Sequence, residues 1–303
     1  MNNPPLVSIV ITTKNEAKNI ENCLRSIQEQ SYPNIETIVV DNASTDQTQE
    51  IAKRYTDKVF NKGPERSAQR NYGMIEIAEG DYVMFLDADM IMAPEVVTSC
   101  VQFIESDNRF VALHIPEIIL GQNYWSQVRR FERTFYNGTV IDGARFFKKA
   151  IFVQVGGFDT SMSGPEDWDI DKKLKQVGQI GLLPDLQNAN SLKSWPLNQF
   201  ITESGIDLNK TGYESVIFHN ESEFDMTFYL NKKGYYAQSF DTYINSWGKN
   251  DPDIKKQLGL FYRYFGVFLE QGKWKRLFRH PVLMVGMYWL RFLVGIKYIM
   301  RHN

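Results

Sequence analysis

The amino-acid sequence predicts an α/β fold with a mostly parallel central sheet and helices on both of its faces. Along residues 1–115, short apolar runs rich in β-branched side chains alternate with segments of helical periodicity. This alternation indicates parallel strands, because two parallel neighbours need a long crossover connection that is usually a helix. The runs are nearly continuously apolar, which is typical of strands buried on both faces.

The first half of the chain is predicted to alternate strand and helix. Leu6 to Thr13 forms the first strand, and a helix follows between Ile20 and Ile27, where apolar residues recur at i, i+3, i+4 and i+7. The capping-box pattern Ser44-Thr45-Asp46-Gln47 predicts the start of the next helix. The other predicted elements of this half are strands at 36–40, near 59 and at 82–86, and a helix at 66–78.

The second half is less regular. The predicted helices lie at 94–105, 124–136, 148–155, 165–178 and 224–236, and the strands at 110–114 and 138–147, the latter with a bend. An Asn- and Ser-rich connection at 186–211 lacks a clear period, and we expect either a mobile loop over the site or disorder there. Residues 241–303 are expected to form a helical extension to a domain at 1–240.

Two carboxylates, Asp87 and Asp89, follow directly after the apolar run Tyr82 to Leu86. In an open α/β sheet, ligands bind outside the carboxyl ends of the strands. Two carboxylates there favour a hard divalent cation, since Mg²⁺ and Mn²⁺ take oxygen ligands and share them with substrate phosphates. The alternative is a turn in which Asp89 only caps the helix that begins near Pro94.

Polar residues also follow the first two strands. Thr12, Thr13 and Glu16 come after strand one, and Asp41 and Asn42 after strand two. We therefore expect three strands to project polar groups into one crevice. The sequence contains neither Gly-x-Gly-x-x-Gly after a strand nor Gly-x-x-x-x-Gly-Lys, which argues against dinucleotide and P-loop sites.

Four motifs carry a resemblance to a known family. They are Val7-Ser-Ile-Val-Ile-Thr-Thr-Lys-Asn-Glu16, Ile38-Val-Val-Asp-Asn-Ala-Ser-Thr-Asp46, Ser67-Ala-Gln-Arg-Asn-Tyr-Gly73 and Phe85-Leu-Asp-Ala-Asp89. In this order and spacing they resemble the nucleotide-sugar-binding half of the family 2 glycosyltransferases, which have the GT-A fold. The resemblance implies a nucleotide-sugar-binding half at 1–115 and an acceptor-binding half at 116–240.

The resemblance also implies roles in donor binding. Asp41 matches the acid that hydrogen-bonds the base, Thr12 and Glu16 match positions lining base and ribose, and Arg70 matches an arginine near the diphosphate. The second motif departs from the family, because Asp41-Asn-Ala-Ser44 stands where Asp-Asp-Gly-Ser is more usual. This departure leaves the nucleotide open, although a UDP-sugar is favoured. For Arg70 the alternative is a solvated helix charge.

For the metal, Asp89 matches the principal ligand and Asp87 a partner that contacts ribose or metal. The expected cofactor is Mn²⁺ or Mg²⁺. His219 follows the apolar run Val216 to Phe218. A late histidine in some GT-A enzymes contacts metal or diphosphate, and the alternative for His219 is a structural role.

The acidic stretch Gly164-Pro-Glu-Asp-Trp-Asp-Ile-Asp171 supplies the expected catalytic pair. Acids simply favour a helix amino terminus, and that explanation suffices for Asp169 and Asp171. Glu166 and Asp167 resemble the Glu-Asp pair that the family places beside the acceptor hydroxyl. Asp167 is expected to be the general base, and Glu166 to orient the acceptor or to help hold the site, in a single displacement that inverts the sugar carbon. The synthase motif Gln-x-x-Arg-Trp is absent, which favours transfer of one sugar per visit.

The carboxy-terminal segment is basic and aromatic from Lys273 to Pro281 and then apolar from Val282 to Met300. Arg291 and Lys297 interrupt the apolar run, so it is a poor transmembrane span. Such a helix suits the cytoplasmic face of a membrane and would fit a lipid-linked acceptor. The alternative is a terminal helix that packs on the domain or in a dimer.

Composition limits the remaining classes. The formal net charge of -2 gives no reason to expect a nucleic-acid partner. Cys23 and Cys100 occupy apolar helical positions, which predicts buried thiols in a reducing compartment. The amino-terminal residues show no basic and then apolar region, so no signal peptide is expected. We therefore expect a cytoplasmic location.

Together these observations predict an inverting, metal-dependent glycosyltransferase that moves a single sugar from a nucleotide sugar to a glycan or lipid-linked acceptor. The pathway expected is synthesis of a cell-surface glycan or a lipid-linked oligosaccharide. Two alternatives stand beside it: a non-catalytic nucleotide-sugar-binding module at the membrane, and a sugar nucleotidyltransferase. The chain lacks the Gly-rich, Lys/Arg-bearing amino-terminal loop of the nucleotidyltransferases, which argues against that alternative.

Overall fold

The computed structural model describes residues 3–184, 192, 194–208 and 213–302, and it has the predicted α/β fold. The strands of the described residues are β1 (Val7–Thr13), β2 (Ile35–Asp41), β3 (Val59–Asn61), β4 (Tyr82–Asp87), β5 (Met90–Met92), β6 (Phe110–His114), β7 (Glu117–Leu120), β8 (Phe146–Lys148), β9 (Gln179–Leu182) and β10 (Ile217–Asn220).

The helices alternate with these strands and then dominate the carboxy-terminal part. They are α1 (Ile20–Gln28), α2 (Thr48–Ala52), α3 (Arg66–Asn71), α4 (Val96–Ser106), α5 (Tyr124–Arg133), α6 (Lys149–Gln154), α7 (Glu166–Lys175), α8 (Asn198–Glu203), α9 (Met226–Tyr236), α10 (Phe240–Trp247), α11 (Pro252–Leu258), α12 (Val267–Leu269), α13 (Trp274–Arg279) and α14 (Pro281–His302). Helix α3 continues into a π-helical segment, Tyr72–Ile77, and a second π-helical segment, Tyr262–Gly266, precedes α12.

The central sheet of the described chain has the order β3-β2-β1-β4-β8-β6-β9. Its pairs are parallel except at β8, which runs antiparallel to both β4 and β6. A smaller sheet has the order β5-β10-β7. The prediction of a mostly parallel sheet is confirmed.

Strand β1 shows why the apolar runs are continuous. Ile9 and Ile11 belong to the core that contains α1, whereas Val10 belongs to the core that contains α7. Because successive side chains of a strand point to opposite faces, a strand covered by helices on both faces needs apolar residues on both of its faces.

The strand register brings three strand ends to one edge of the sheet. Thr13 in β1 lies opposite Asp41 at the end of β2, and Thr12 lies opposite Asp87 at the end of β4. The backbone positions alone therefore agree with the expectation that polar groups converge at this edge of the sheet.

Two local predictions were wrong. The strand expected at 138–147 is reduced to the β8 segment, because the buried Asp142 accepts hydrogen bonds from Gly138 N (2.9 Å) and Arg133 Nη2 (2.8 Å) and holds a turn. The capping box also fails. Helix α2 begins at Thr48, and Ser44 instead donates its hydroxyl to Asp41.

The expected irregular connection at 186–211 is described only in part. Its described portion contains the short helix α8, where no periodicity had been recognised. Residues 186–191, 193 and 209–211 lie outside the described residues.

The carboxy-terminal extension is helical, as predicted. In α14 the guanidinium of Arg291 turns inward and donates from Nε to Glu132 Oε1 at 3.0 Å. Within the described residues, none of the helices combines the length and apolar character that crossing a membrane requires. Cys23 and Cys100 are free and buried.

His114, at the end of β6, links the sheet to α7. Its Nε2 lies 2.7 Å from Asp171 Oδ2, and its Nδ1 lies 3.6 Å from Asp142 Oδ2. Burial acts to lower the pKa of His114, but the two carboxylates outweigh it, and the pKa is raised above its ordinary value. A protonated His114 therefore stabilises the attachment of α7.

We expect His114→Gln to destabilise the protein more at pH 6 than at pH 9. A histidine whose folded-state pKa is raised contributes stability that is fully present below the unfolded value of about 6.5. That stability is lost as the pH rises through the folded value. The free energy of unfolding of wild type and variant at both pH values measures it. His280→Gln, at an exposed histidine, is the control, and an equal destabilisation at both pH values would contradict the assignment.

Candidate functional site

The carboxyl ends of β1, β2 and β4 open into a cleft of about 630 Å³. Helix α9 forms the facing wall. The sheet side of the cleft is lined by Thr12, Thr13, Glu16, Asn42, Asp87, Asp89 and His219, and the α9 side by Phe228, Asn231, Lys232, Tyr235 and Tyr236. Five of the residues predicted from the sequence (Thr12, Glu16, Asp87, Asp89 and His219) thus lie in its lining, as expected of a ligand site at the strand ends.

Arg70 lies beneath the cleft and joins its two acidic sides. The side chain is 1% exposed and donates to Asp87 Oδ1 and to Asp167 Oδ1, both at 3.1 Å. Its guanidinium carbon stacks 3.9 Å from the centroid of the Phe85 ring. Both terminal nitrogens are thereby used. Arg70 is placed to fix Asp167 relative to Asp87, which differs from the expectation that it contacts the diphosphate.

Asp87 is held ionised by this arrangement. Burial would raise its pKa, but Arg70 and then Arg66 outweigh burial, so the pKa of Asp87 lies well below its ordinary value. Thr12 adds a hydrogen bond from Oγ1 to Asp87 Oδ1 at 3.3 Å. The carboxylate keeps its charge at any physiological pH.

Arg66 is the cleft arginine that sequence reasoning missed. Its side chain is about a third exposed and lines the cleft. Nη2 donates to Glu166 Oε1 at 3.2 Å and to the Tyr236 hydroxyl at 2.8 Å. The signal was available, because Arg66 precedes Arg70 by one helical turn and shares its face of α3.

Glu166 and Asp167 open α7 with different environments. Glu166 is buried, and burial followed by the neighbouring charge of Asp167 raises its pKa. Asp167 is 32% exposed, with Oδ1 bonded to Arg70. A Cβ added at Gly143 would lie 2.9 Å from the Cβ of Asp167, so the backbone closely supports this side chain. Asp167 is the more accessible carboxylate of the pair.

Asp89 and His219 form a second polar group across the cleft. His219 Nε2 lies 3.2 Å from Asp89 Oδ2, and Nδ1 lies 3.0 Å from Glu117 Oε1. Burial acts to lower the pKa of His219, but Asp89 and Glu117 outweigh it and raise the pKa well above its ordinary value. Glu117, which was not singled out from the sequence, is itself held by Arg145 Nη2 at 3.0 Å.

These residues could hold a divalent cation only as a site with few protein ligands. Within the described residues, no group of three or more His, Cys, Asp and Glu side chains is arranged as a metal site. Asp89 Oδ1, however, is buried and has no hydrogen-bond partner. Mg²⁺ and similar cations are usually held by one or two protein ligands together with substrate phosphates. Asp89 matches the carboxylate part of that requirement. His219 would join it only as a neutral imidazole, after Nε2 has lost its proton, and Glu117 would orient the ring.

The base-binding acid is placed differently from expectation. Asp41 is fully buried, and its carboxylate accepts from Ser44 N at 2.7 Å, from Ser44 Oγ at 2.5 Å and from Gln49 Nε2 at 2.7 Å. Its neighbour Asn42 lines the cleft instead and donates to Pro64 O at 2.9 Å. Asp41 therefore shapes the loop after β2, and Asn42 is the residue this loop presents.

Glu16 occupies the cleft wall beyond β1. Burial raises its pKa, although a hydrogen bond from Asn19 Nδ2 to Glu16 Oε2 at 2.8 Å opposes the effect. Thr12 lies beside it in the lining. Both positions suit contact with a sugar or ribose hydroxyl.

The fold and these strand-end acids can now be compared with known proteins. A family model described as Glycosyl transferase family 2 matches residues 8–159, half of the chain. The chain belongs to this family. The match includes β1, β2 and β4 with their acids and ends before α7.

Relatives and solved structures agree with the family. The chain is 23% identical over 290 residues to the hyaluronan synthase of Pasteurella multocida, covering 86% of this chain and 29% of that one. It spans 29% to 60% of the length of the first curated relatives it matches.

Two solved structures share the GT-A fold at low identity. One is the mannosyltransferase PcManGT from Pyrobaculum calidifontis in complex with GDP-Man and Mn²⁺ (TM-score 0.58, 19% identity, 99% of this chain and 88% of that one). The other is S. aureus TarS 1-349 in complex with UDP-GlcNAc (TM-score 0.50, 17% identity, 97% of this chain and 89% of that one). The chain is thus a member of the family 2 glycosyltransferases and has a GT-A fold.

We expect Arg70→Met to lower the free energy of unfolding by about 3 kcal/mol, because it leaves two carboxylates without their buried cation. Arg66→Met should lower it by less than about 1 kcal/mol, since that arginine is partly solvated. Denaturant unfolding of the two variants compares them directly. Equal losses in the two variants would show that Arg70 is not the structural bridge described above.

Proposed function

We propose that this glycosyltransferase transfers a single sugar, with inversion and with a divalent cation, from a nucleotide sugar to an acceptor hydroxyl. A UDP-sugar is the favoured donor. The acceptor would be a glycan or a lipid-linked sugar at the cytoplasmic face of a membrane, in synthesis of a cell-surface glycan or a lipid-linked oligosaccharide. The main support for the proposal is that Arg70 pairs with both Asp87 and Asp167, because these ion pairs fix Asp167 beside the strand-end acids of the cleft.

In the proposed displacement, Asp167 is the general base. The acceptor oxygen forms a bond to the anomeric carbon, the bond from that carbon to the diphosphate breaks, and the hydroxyl proton passes to Asp167. The free oxygen Oδ2 is suited to this, because Arg70 already occupies Oδ1. One displacement inverts the configuration of the sugar carbon. Glu166 accepts hydrogen bonds from Arg66 Nη2 and from the backbone N–H of Gly164. Its proposed role is therefore to position these groups.

The leaving nucleoside diphosphate gains negative charge, which the cleft must stabilise. A divalent cation held by Asp89 and His219 would supply positive charge to the phosphates when bound. The chain's own contribution is Arg66, whose planar guanidinium suits phosphate oxygens and which lies in the cleft lining where Arg70 does not. The expected diphosphate contact is therefore reassigned from Arg70 to Arg66.

Asn42 is the proposed base contact in place of Asp41. A carboxylate can only accept a hydrogen bond from a base, whereas an amide both accepts and donates. The donors named for the solved relatives are GDP-Man in one case and UDP-GlcNAc in the other. An amide at this position is compatible with the hydrogen-bonding edges of either base, so a donor panel should include both.

The deciding experiment measures nucleotide release from UDP-, GDP- and dTDP-sugars with Mn²⁺, Mg²⁺ or chelator, with and without membrane extract. We expect metal-dependent release from one donor, enhanced by the extract. Asp167→Asn should lower kcat about 100-fold or more while donor binding persists, because an amide oxygen can still accept the hydrogen bond from Arg70 but the side chain can no longer take the proton. Asp89→Ala should lower the rate and weaken the response to metal.

Two outcomes would contradict the proposed transferase activity. Tight donor binding without nucleotide release under any condition would point to a binding module. Pyrophosphate release from a nucleoside triphosphate and a sugar phosphate would point to a nucleotidyltransferase. Full turnover in Asp167→Asn would contradict the assignment of Asp167 as the general base, even if sugar transfer itself were observed.

We expect Arg66→Met to lower kcat about 100-fold, because one charged donor to the leaving group is lost. Arg66→Lys should recover part of that loss, since it restores the charge without the planar geometry. Steady-state kinetics with the preferred donor separate kcat from KM. Unchanged kcat in Arg66→Met would exclude the diphosphate contact.

A further inference from the structure

Helix α14 has apolar side chains on two faces. Its inner face, with Met287 and Leu290, is buried in a core shared with α5. Its outer face carries Val282, Val285, Trp289, Phe292 and Ile296, which are between 36% and 68% exposed. A helix needs only one apolar face to pack on a domain, so the outer face requires a separate explanation.

The five outer residues form one stripe. They are spaced by three, four, three and four positions, which places them on a single side of a helix. We call these five residues the outer stripe. The polar residue Arg291 does not interrupt it, because its guanidinium points to the inner face and pairs with Glu132.

An apolar groove of about 390 Å³ lies between α14 and the preceding helices. Phe265, Leu269, Trp274 and Phe278 line it and are each 43% to 70% exposed. Met284 and Tyr288 of α14 line its other side. On the helix these two positions lie next to the outer stripe, so the exposed apolar surface extends from α14 onto α13.

The charge of this region has one sign. Residues 273–303 contain seven Lys and Arg residues and no Asp or Glu. Lys275 and Arg279 are exposed on α13, next to Trp274 and Phe278. A surface that combines exposed Trp and Phe with Lys and Arg matches the composition of helices that lie in the headgroup region of a membrane.

We propose that the outer stripe of α14, with the exposed aromatic residues of α13, docks on an anionic lipid surface. The apolar side chains enter the boundary between headgroups and acyl chains, and Lys275 and Arg279 contact the lipid phosphates. A symmetric dimer through the same face is disfavoured, since it would bring the exposed Lys275, Arg276 and Arg279 of two copies together. Anionic lipid has the complementary charge.

This surface is connected to the cleft through α9. Lys297 of α14 donates from Nζ to Asn231 Oδ1 at 3.3 Å, and Asn231 lines the cleft. The cleft therefore lies about two helix diameters, on the order of 20 Å, from the lipid. Only this functional consequence, delivery of a lipid-linked acceptor, rests on the proposed function. The docking itself does not.

The test is flotation with vesicles of phosphatidylcholine alone or with 30% phosphatidylglycerol, in the absence of donor, acceptor and metal. We expect the wild type to float with the anionic vesicles and less with the neutral ones. Trp289→Gln with Phe292→Gln should weaken binding to both about tenfold or more, since apolar area is lost. Lys275→Glu with Arg279→Glu should weaken binding to the anionic vesicles about tenfold or more.

The matched control is Val153→Gln with Val177→Gln, two apolar residues that are 43% and 42% exposed elsewhere on the chain. This variant should float like the wild type. The proposal is overturned if the wild type fails to float, if the stripe variant floats equally well, or if the control loses as much binding. A wild-type dimer that becomes monomeric in the stripe variant, without vesicle binding, would identify a dimer interface instead. Because no donor is present, failure here leaves the transferase assay unaffected.

Discussion

The ion pairs of the buried Arg70 are the interaction on which the site depends. An arginine removed from water requires compensating carboxylates, and a carboxylate that loses such a partner becomes strongly destabilising. Here the two partners come from distant parts of the chain, Asp87 from β4 and Asp167 from α7. Packing on Phe85 fixes the plane of the guanidinium. The relative position of the two acids is therefore a property of the folded core and not of flexible loops.

The same principle recurs on the other side of the cleft. Glu117 is held by Arg145 and in turn holds His219, which faces Asp89. In both cases a buried arginine pairs with a carboxylate, Arg70 with Asp87 and Arg145 with Glu117. Asp87 on one side and His219 on the other then line the cleft. Burial would raise the pKa of Asp87 and of Glu117, but the nearby arginines outweigh burial and hold both pKa values below the ordinary range. Positive charge in the cleft lining comes from Lys14, Arg66 and Lys232 and would also come from a bound metal.

The sequence predicted strands β1 to β4 and β6, with the acids that follow three of them, because periodicity and strand ends are local features. The sequence does not show which of two similar, nearby residues is buried in the fold. Arg66 and Arg70 share one face of α3, and only packing on Phe85 shows which of them is internal. Asp41 and Asn42 are adjacent, and the loop after β2 turns the first inward. The missed turn at 138–147 has the same origin, since Asp142 accepts bonds that no local pattern reveals.

Helix α14 shows why each face of a helix must be considered separately. Along the chain, Arg291 divides an apolar run, and such an interruption argues against a membrane-spanning helix. In three dimensions Arg291 satisfies Glu132 on the inner face, while the outer stripe remains apolar along its length. A residue that disfavours a spanning helix therefore says nothing against a helix lying in the interface, because the two arrangements expose different faces. The relevant quantity is the composition of each face, and the outer face of α14 is apolar beside a basic α13.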